Sequence, residues 1–447
     1  MKHFTTSFLI LAINLLCCSS AMAQETESAR SWSLKECLDY ARGHNIQIRS
    51  MEITKQSSDA DLEQAKAQQY PTLSFGTNHS VSFQNTASYN EYMEKNGGTT
   101  YQGSFNLNSG YTLYQGGKIR NNIKQQGLLN EASQYDMEQA VMDVEISVVQ
   151  AYLQILYDNE ALKINNQAAE LSNIQAERGE QMYMAGSISK GDLAQLKSQY
   201  SSDKYQVVSA ENALAVSKLK LKQLLELDIE EDFSVEFPEI DDESVTALIP
   251  PLKEIYFTAL EELPQMKSSN LGVEASNLGV AVAKAAYYPS ISLSAGVSTG
   301  MYSGTGVSFI DQLNNKLGEN IGLSLSIPIF NNKQVRTNVT KAKLQSETSR
   351  LQNESDKKQL LSTIESLYND AASAQSKYTA AKEQLTAAQT SYEIVSEQFD
   401  AGIKNTVELI TEKNNYISAL SQLLQTKYQA VLSIKLLNRY VNKPIEL

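Results

Sequence analysis

Histidine and cysteine are scarce in this chain of 447 residues, with three of each. One histidine and two cysteines fall within the first 23 residues, which leaves only His44, His79 and Cys37 further along. These are too few for a histidine-based metal site, a His-dependent catalytic triad or an internal disulfide. No P-loop, dinucleotide fingerprint or nucleophile elbow is present either. The sequence therefore offers no candidate catalytic, cofactor-binding or metal-binding residues.

Positive charge and long apolar runs are also limited. The 38 Lys and Arg residues are outnumbered by 51 Asp and Glu residues, and the formal net charge is −13. This balance argues against nucleic acid as a partner, because a phosphate backbone selects for clustered Lys and Arg. After residue 23, no run approaches the roughly 20 apolar residues of a membrane-spanning helix, so we expect none.

Only eight prolines occur, and none lies between residues 72 and 237 or between 329 and 443. Proline interrupts helices and central strands because it lacks the amide donor and its ring collides with the preceding turn. These two proline-free stretches hold most of the chain. They are therefore suited to long, uninterrupted helices and strands.

The first 23 residues have the layout of a secretory signal peptide. A basic start precedes a short apolar stretch, and a small-residue cleavage site ends at Ala23. The mature protein is expected to begin at Gln24. A lipoprotein with Cys17 or Cys18 acylated is the alternative, but bulky leucines precede these cysteines where small residues are usual.

The sequence is internally duplicated. Leu34-Lys35-Glu36 recurs 218 residues later as Leu252-Lys253-Glu254, and Ala185-Gly186 recurs 216 residues later as Ala401-Gly402. The offset holds within each half and slips by two in a single loop. We therefore expect two structural copies, 24–227 and 252–447, joined by a connector at 228–251. Each copy should contain a helix, a β-hairpin and a long helical hairpin.

Very long helices are predicted in both copies. Apolar or small residues between Ile364 and Phe399 recur at alternating spacings of three and four, the pattern of a coiled-coil seam. About 60 residues at about 1.5 Å each make a rod of roughly 90 Å. Gly186 and Gly402 should end these rods in left-handed turns, so that a second helix returns antiparallel. The helical hairpins are expected at 121–227 and 334–440.

Strict alternation predicts a β-hairpin in each copy, at 72–113 and 290–329. In the second, Ile291, Leu293 and Val297 alternate with serine and glycine, which gives one apolar face and one small, polar face. Such strands suit a membrane barrel around a wet lumen, although a half-buried soluble sheet has the same period. Aromatic residues near both strand ends favour the barrel, because aromatic belts flank lipid-facing surfaces. They are Tyr70, Tyr114, Tyr287, Tyr288 and Phe330 at the helix side, and Tyr89, Tyr92, Tyr101 and Tyr302 at the loop side.

Four strands cannot close a barrel, since small closed barrels have about eight. Unpaired strand edges are not tolerated in lipid, so several copies of the chain must share one barrel. Three chains would supply twelve strands in a ring of nearly sixfold symmetry. The expected fold class is thus an α+β membrane protein. Its trimeric 12-stranded β-barrel, with four strands per chain, continues into a long α-helical coiled-coil barrel.

The connector at 228–251 is rich in Asp and Glu and lacks helical periodicity. It is expected to run along the outside of the long helices, with its acidic residues solvated.

Taken together, these features resemble the outer membrane efflux protein family, the TolC-like exit ducts of Gram-negative bacteria. The resemblance covers essentially the whole mature sequence. It is carried by the repeated Leu-Lys-Glu opening, by Tyr70-Pro71 and Tyr288-Pro289 where helix gives way to strand, and by the Ala-Gly turns with Asp192-Leu193 and Glu408-Leu409 after them. Each motif is short, but their order, spacing and twofold repetition make the match specific.

The resemblance implies a homotrimer that passively conducts substrates to the exterior. The substrates would come from a periplasmic membrane-fusion adaptor and an inner membrane pump of RND or ABC type. It further implies a location in the outer membrane, in contact with its lipid and extending into the periplasm, with no cofactor and no catalytic chemistry. Efflux and type I secretion are both compatible with this resemblance.

A gate at the periplasmic tips of the helical hairpins is also implied. Asp192 matches an acidic residue of the first tip, and Phe399, Lys404 and Glu408 match aromatic, basic and acidic residues of the second. A link between Lys404 and Asp192 is the resulting hypothesis for the closed gate. Lys404 stands where a guanidinium is common, so a bidentate contact is lost. Asp192 and Glu408 are equally explained as capping-box acids, and the two roles are compatible.

An exported trimeric coiled-coil protein with a structural or adhesive role, and no transport, is the alternative from another class. It accounts for the long helices and the export signal. It does not predict paired strands with a lipid-compatible face in each copy. An enzyme lacks any candidate constellation of residues.

Overall fold

The computed structural model describes residues 31–89, 95–230, 233–303 and 306–441, together with Lys443, and covers the backbone alone at 84–89 and 95–98. The predicted signal peptide and its two cysteines lie outside these ranges, as do Tyr92 and the Tyr89 side chain.

Helices and strands follow the same order in both halves of the chain. The first half contains β1 (Ser31–Trp32), α1 (Leu34–His44), α2 (Ile46–Ala67), β2 (Thr72–Tyr89), β3 (Lys95–Gln115), α3 (Lys118–Met184) and α4 (Lys190–Leu224). The connector contains β4 (Ser234–Val235) and α5 (Asp242–Val245). The second half contains α6 (Leu252–Glu262), α7 (Pro264–Lys284), a 3-10 turn (Ala285–Tyr287), β5 (Ser290–Tyr302), α8 (Phe309–Asn315), β6 (Gly318–Ser326), α9 (Gln334–Asp400) and α10 (Thr406–Tyr440).

The opening helix of each half is divided in two, which corrects the expectation of one continuous helix. Asn45 separates α1 from α2 in an extended conformation, and its side chain accepts a hydrogen bond from the Gln47 amide. Leu263, 218 positions later, separates α6 from α7 in the same conformation. Pro264 follows it because the first residue of a helix needs no amide donor. The break is therefore part of the duplicated unit.

The long helices are matched in length between the two halves. α3 and α9 have 67 residues each, and α4 and α10 have 35 each. At about 1.5 Å per residue, α3 and α9 are rods of roughly 100 Å. Among the described residues, no helix has both the length and the apolar character needed to cross a membrane.

The four long strands form one antiparallel sheet in the order β2-β3-β5-β6. Its register places apolar side chains opposite one another, for example Phe75 opposite Leu107 and Leu293 opposite Leu323. Because opposite residues share a face, all four strands contribute to one apolar surface. This surface is uncovered in the single chain, where Ile321 is 83% exposed. β2 and β6 are the two edges of the sheet.

Some apolar residues of the connector pack into the core, whereas its acidic residues within the described range are exposed, as expected. β4 pairs with β1, and Val235 and Val245 are buried in a cluster that includes residues of α1, α3, α4, α9 and α10. The Tyr152 hydroxyl donates to the Glu236 carbonyl at 2.8 Å. Asp242 accepts hydrogen bonds from Lys382 and from the Tyr378 hydroxyl, which lower its pKa. The connector therefore fastens the middle of the long helices together.

The step from β3 to α3 requires left-handed backbone at two consecutive residues. Gly116 and Gly117 have φ of 58° and 78°, and their counterparts Asn332 and Lys333 have φ of 49° and 63°. A side chain is thus tolerated at this turn in the second copy. In the first copy, a Cβ at Gly116 would lie 2.5 Å from the Ala285 carbonyl oxygen, so glycine is required there by close packing as well.

We expect Gly116→Ala to destabilise the protein by at least about 1–2 kcal/mol, the cost of left-handed backbone for alanine, with the clash adding to it. The midpoint of thermal loss of the helical circular dichroism signal measures the change. Gly117→Ala is the matched control, because Gly117 is also left-handed, with φ of 78°, and the nearest atom to its added Cβ would be in the Asn121 side chain at 3.8 Å. Equal midpoints for both variants would show that the contact with Ala285 is unimportant.

Candidate functional site at the helical hairpin tips

The two hairpin tips are built by the same backbone turn. Gly186 and Gly402 adopt φ of 76° and 74°. In each tip a backbone amide beyond the glycine bonds back into the preceding helix, from Ser187 to Met182 and from Ile403 to Gln398, both at 2.8 Å. This is the hydrogen-bond pattern that ends a helix in a left-handed residue. The turns thus occur at the two glycines that the sequence singled out.

Capping boxes start both returning helices. The Ser189 hydroxyl accepts from the Asp192 amide at 3.1 Å, and the Asp192 carboxylate accepts from the Ser189 amide at 3.1 Å. Asn405 and Glu408 make the same exchange at 2.9 and 3.2 Å. Hydrogen bonds to the charged form lower the pKa of both acids, chiefly from Ser189 for Asp192 and from Lys404 for Glu408.

A cleft of about 480 Å³ lies between the two tips of one chain, lined by Asp192, Phe399, Lys404 and Thr406 among others. Three of the four predicted gate residues therefore line one cleft, and Glu408 lies one helical turn after Lys404. Phe399 is only 2% exposed and packs with Ala176, Leu196, Leu409 and Ile410. Its ring therefore holds the two tips against each other.

Lys404 forms its ion pair within its own tip. Its Nζ lies 2.6 Å from the Glu408 Oε1. Across the cleft, Thr406 lines the same space as Asp192. Its buried hydroxyl has no hydrogen-bond partner among the described residues. Within the described chain Lys404 pairs with Glu408 and not with Asp192. A link between Lys404 and Asp192 therefore stays a prediction for tips of neighbouring chains.

Polar contacts further from the turns tie the first hairpin to the second. The Arg178 guanidinium pairs with the Asp400 carboxylate at 2.7 Å, which links the ends of α3 and α9. One turn earlier in α3, the Gln175 amide donates to the Tyr392 hydroxyl at 3.1 Å. Sequence reasoning missed all four residues, because each contact joins positions more than 200 residues apart.

A buried ion pair completes this contact zone. The Lys413 ammonium in α10 is fully buried and bonds to the Asp203 carboxylate in α4 and to the Ser172 hydroxyl in α3. Ser172 also donates to Asp203, and the Gln199 amide donates to the other Asp203 oxygen at 3.0 Å. Burial lowers the pKa of Lys413, and the bond to Asp203 opposes that shift. Three long helices therefore meet at one hydrogen-bonded charge pair.

The internal duplication could have revealed this cluster. At the equivalent positions, 216 residues away, Lys413 has Lys197, while Asp203 has Ala419 and Ser172 has Ala388. Lys197 is half exposed and pairs with Glu180 at 3.0 Å. The signal for this cluster is therefore a polar residue in one copy at a position where the other copy has alanine. Such residues mark a contact made only where the first hairpin meets the second within a chain.

We expect Lys413→Met to destabilise the protein by about 3–5 kcal/mol, because the Asp203 carboxylate is left buried without its cation. The double variant Lys413→Met/Asp203→Leu should recover most of this loss, since it removes both charges. The midpoint of thermal unfolding measures each change. Lys197→Met is the matched control and should shift stability by less than about 1 kcal/mol, because its ion pair is exposed. If Lys197→Met lowered the stability as much as Lys413→Met, the buried pair would have no special role in stability.

Known proteins share this fold and are similar in sequence over most of the chain. The family model "Outer membrane efflux protein" matches residues 37–226 and 255–442. Toxin and drug export protein A of Aggregatibacter actinomycetemcomitans is 23% identical over 349 residues, which are 75% of this chain and 71% of that protein. Outer membrane protein TolC of Salmonella enteritidis is 22% identical over 407 residues, 90% of this chain and 80% of that protein.

Solved structures agree with this match. The crystal structure of the outer membrane protein VceC of Vibrio cholerae superposes with a TM-score of 0.78 at 16% identity, covering 92% of this chain and 97% of that one. The fold class expected from the sequence is confirmed: it is that of trimeric TolC-like channels, in which a β-barrel continues into a helical barrel. The chain belongs to the outer membrane efflux protein family and is located in the outer membrane, from which it extends into the periplasm.

Proposed function

We propose that this chain is one third of a passive exit duct, which conducts substrates from a periplasmic adaptor and an inner membrane pump to the exterior. One observation carries the proposal. The four-stranded sheet has a largely exposed apolar face and, within the described residues, two edges without a partner strand, and it continues into two helical hairpins of equal length. Such a protomer is a sector of a tube that is complete only with further copies.

The sheet edges support a homotrimer. β2 and β6 present rows of backbone donors and acceptors that have no partner strand within the described chain. In a hydrocarbon environment such groups must be paired, and pairing β2 of one copy with β6 of the next satisfies them. Three copies give twelve strands, enough for a closed ring. The same ring buries the edges and leaves the apolar face against lipid.

The inner face of the sheet supports a conduit without chemistry of its own. Residues alternating with the apolar set are small and polar, such as Ser74, Asn108, Ser294 and Ser324. Hydroxyl and amide groups hydrate a lumen without binding any one solute tightly. We therefore propose that energy and substrate choice come from the pump and adaptor. The alternative of a structural or adhesive coiled coil leaves this sheet without a role.

Both efflux and type I secretion fit the proposed duct. One relative is named as a toxin and drug export protein, so its name covers two kinds of exported substrate. A tube of this kind distinguishes substrates mainly by whether they reach its periplasmic end. We therefore assign the choice of cargo to the inner membrane partner, of RND or ABC type.

We propose the hairpin tips as the gate of this duct. Asp192 and Lys404 carry charge at the cleft, Glu408 pairs with Lys404, and Phe399 packs the tips together. The contacts of Arg178 with Asp400 and of Gln175 with Tyr392 hold the two hairpins of one chain side by side. Opening requires neighbouring hairpins to separate, so these contacts determine which hairpins move as a unit.

Asp192→Ala and Lys404→Ala should each raise the single-channel conductance of the purified trimer in planar lipid bilayers, because each removes a charge from the closed tips. Ser189→Ala is the control for capping. It removes the N-cap hydroxyl, worth about 1 kcal/mol to the helix, but leaves Asp192 in place, so conductance should not change. A rise with Ser189→Ala equal to that with Asp192→Ala would assign the effect to helix capping. Wild-type conductance in both charge variants would show that these residues do not gate the duct.

The duct itself is tested by fractionation and deletion. The protein should be found in the outer membrane and should migrate as a trimer in detergent without heating and as a monomer after boiling. Deletion of the gene should raise susceptibility to toxic small molecules or abolish export of a polypeptide. Recovery of a water-soluble monomer from the periplasm would contradict both the barrel and the conduit.

A further inference from the structure

A short helix that the sequence analysis did not predict, α8, lies beside the far end of the sheet. It occupies the loop between β5 and β6 and ends at Asn315, three residues before β6 begins at Gly318. β6 has nine residues, which is about the length of a tilted strand that just crosses a membrane. Gly318 is at the end of β6 remote from the long helices. In the proposed barrel, where β6 spans the membrane, α8 would lie at the outer membrane boundary.

The contacts of α8 place it on the outward face of the sheet. Thr299 lies opposite Phe105 in the register, so its side chain shares the apolar face, and its hydroxyl donates to the Leu313 carbonyl at 2.6 Å. Phe309 lines a small pocket of about 270 Å³ with Tyr101 and Met301, which belong to that same face. α8 thus packs against the surface that faces lipid rather than the lumen.

Gln312 fastens α8 to the free edge of β5. Pairing between β5 and β6 ends at Ser298 with Gly318, so Tyr302 lies beyond the last residue of β6. There the Gln312 Oε1 accepts from the Tyr302 amide at 2.8 Å, and its Nε2 donates to the Tyr302 carbonyl at 3.1 Å. The Gln312 side-chain amide thus pairs the backbone groups of Tyr302 as a neighbouring strand would. This pairing is valuable where water is scarce, because unpaired backbone groups are costly there.

The outer side of α8 is apolar and uncovered. Ile310 is 68% exposed, Phe309 is 48% exposed, and Leu317 after the helix is 56% exposed. Charged residues flank them, and Lys316 reaches the ring of Tyr302, with its Nζ 4.0 Å from the centroid. Exposed apolar side chains bordered by charges and tyrosine, on a helix at a membrane boundary, are typical of interfacial anchors.

We propose that α8 is an outer-leaflet anchor, in which Phe309 and Ile310 insert among lipid acyl chains beside the barrel. Lipid is the expected contact of α8, because α8 extends the same apolar face that β2, β3, β5 and β6 present to the membrane. The inference rests on the proposed barrel. It assigns to the loop between β5 and β6 a contact with lipid rather than with the exported substrate.

Tryptophan fluorescence in proteoliposomes tests the anchor. The chain has one tryptophan, Trp32, which is buried and gives a constant background. Ile310→Trp is reconstituted as the trimer into phosphatidylcholine vesicles with and without bromine on the acyl chains. Leu323→Trp, on the lipid-facing side of β6, is the positive control. Leu248→Trp is the aqueous control, because Leu248 lies in the connector and is 98% exposed.

We expect brominated lipid to quench Ile310→Trp to a similar extent as Leu323→Trp, while aqueous iodide quenches only Leu248→Trp. Iodide quenching of Ile310→Trp, with Leu323→Trp still quenched by lipid, would overturn the anchor and leave the barrel intact. Quenching of Ile310→Trp by neither reagent would also overturn it and would indicate packing against a neighbouring copy. Loss of lipid quenching in Leu323→Trp would contradict the barrel and the anchor together.

Gln312 is tested as the residue that positions α8. Adding Gln312→Met to Ile310→Trp removes both hydrogen bonds to Tyr302 at nearly equal side-chain length. We expect α8 to leave the sheet, so that quenching by brominated lipid falls and quenching by iodide rises. The same substitution should not affect Leu323→Trp. Unchanged lipid quenching of Ile310→Trp in the double variant would show that Gln312 does not position the helix.

Discussion

The whole architecture depends on the need to pair backbone groups at two sheet edges. A strand surrounded by lipid cannot leave its amides and carbonyls unpaired. The chain has four strands in one sheet, and β2 and β6 are its two edges. It therefore cannot be stable in a membrane alone, and oligomerisation follows from hydrogen bonding rather than from any contact between helices. The connector, the core and the hairpin tips hold each chain in the shape that this pairing between copies needs.

Duplication gives the ring near-sixfold symmetry, and the differences between the copies show where that symmetry is broken. Gly116 is required because the Ala285 carbonyl lies against it, whereas Asn332 occupies the same turn in the second copy. Lys413 is buried with Asp203, whereas its counterpart Lys197 is exposed. Both differences concern contacts between the two halves of one chain. The contact between the two halves of one chain thus has residues adapted to it. Their counterparts in the other copy do not make these contacts.

Elements with long, regular periods could be predicted from the sequence. The long helices and the alternating strands were found because a pattern sustained over many residues leaves little ambiguity. The division of the opening helix was missed, although Asn45 and Pro264 are typical of helix starts. α8 was missed as well, although Ser308 and Asp311 have the spacing of a helix cap. In such short segments, tertiary contacts such as those of Gln312 decide the structure, and they involve residues that are distant or unremarkable in sequence.

The candidate site was only partly predictable for a related reason. The sequence identified Gly186, Gly402 and the capping acids because turns and caps are local. It suggested Asp192 as the partner of Lys404, whereas within the chain Lys404 forms its ion pair with Glu408, four residues further on. The contacts of Arg178 with Asp400 and of Lys413 with Asp203 depend on how two hairpins lie side by side. Comparison of the two copies marks Asp203 as polar where the other copy has Ala419, but only the fold shows that its partner is Lys413.

The equal lengths of α3 and α9, and of α4 and α10, have a consequence for how such a protein can change over time. In a trimer of this fold, six hairpins of one length would end at one level and give an even periplasmic rim. Inserting residues into one repeat alone would raise three of the six ends above the others and make the rim alternate in height. Lengthening of the tube therefore requires matched insertions in both repeats of the gene, which couples the evolution of two segments that lie 216 residues apart.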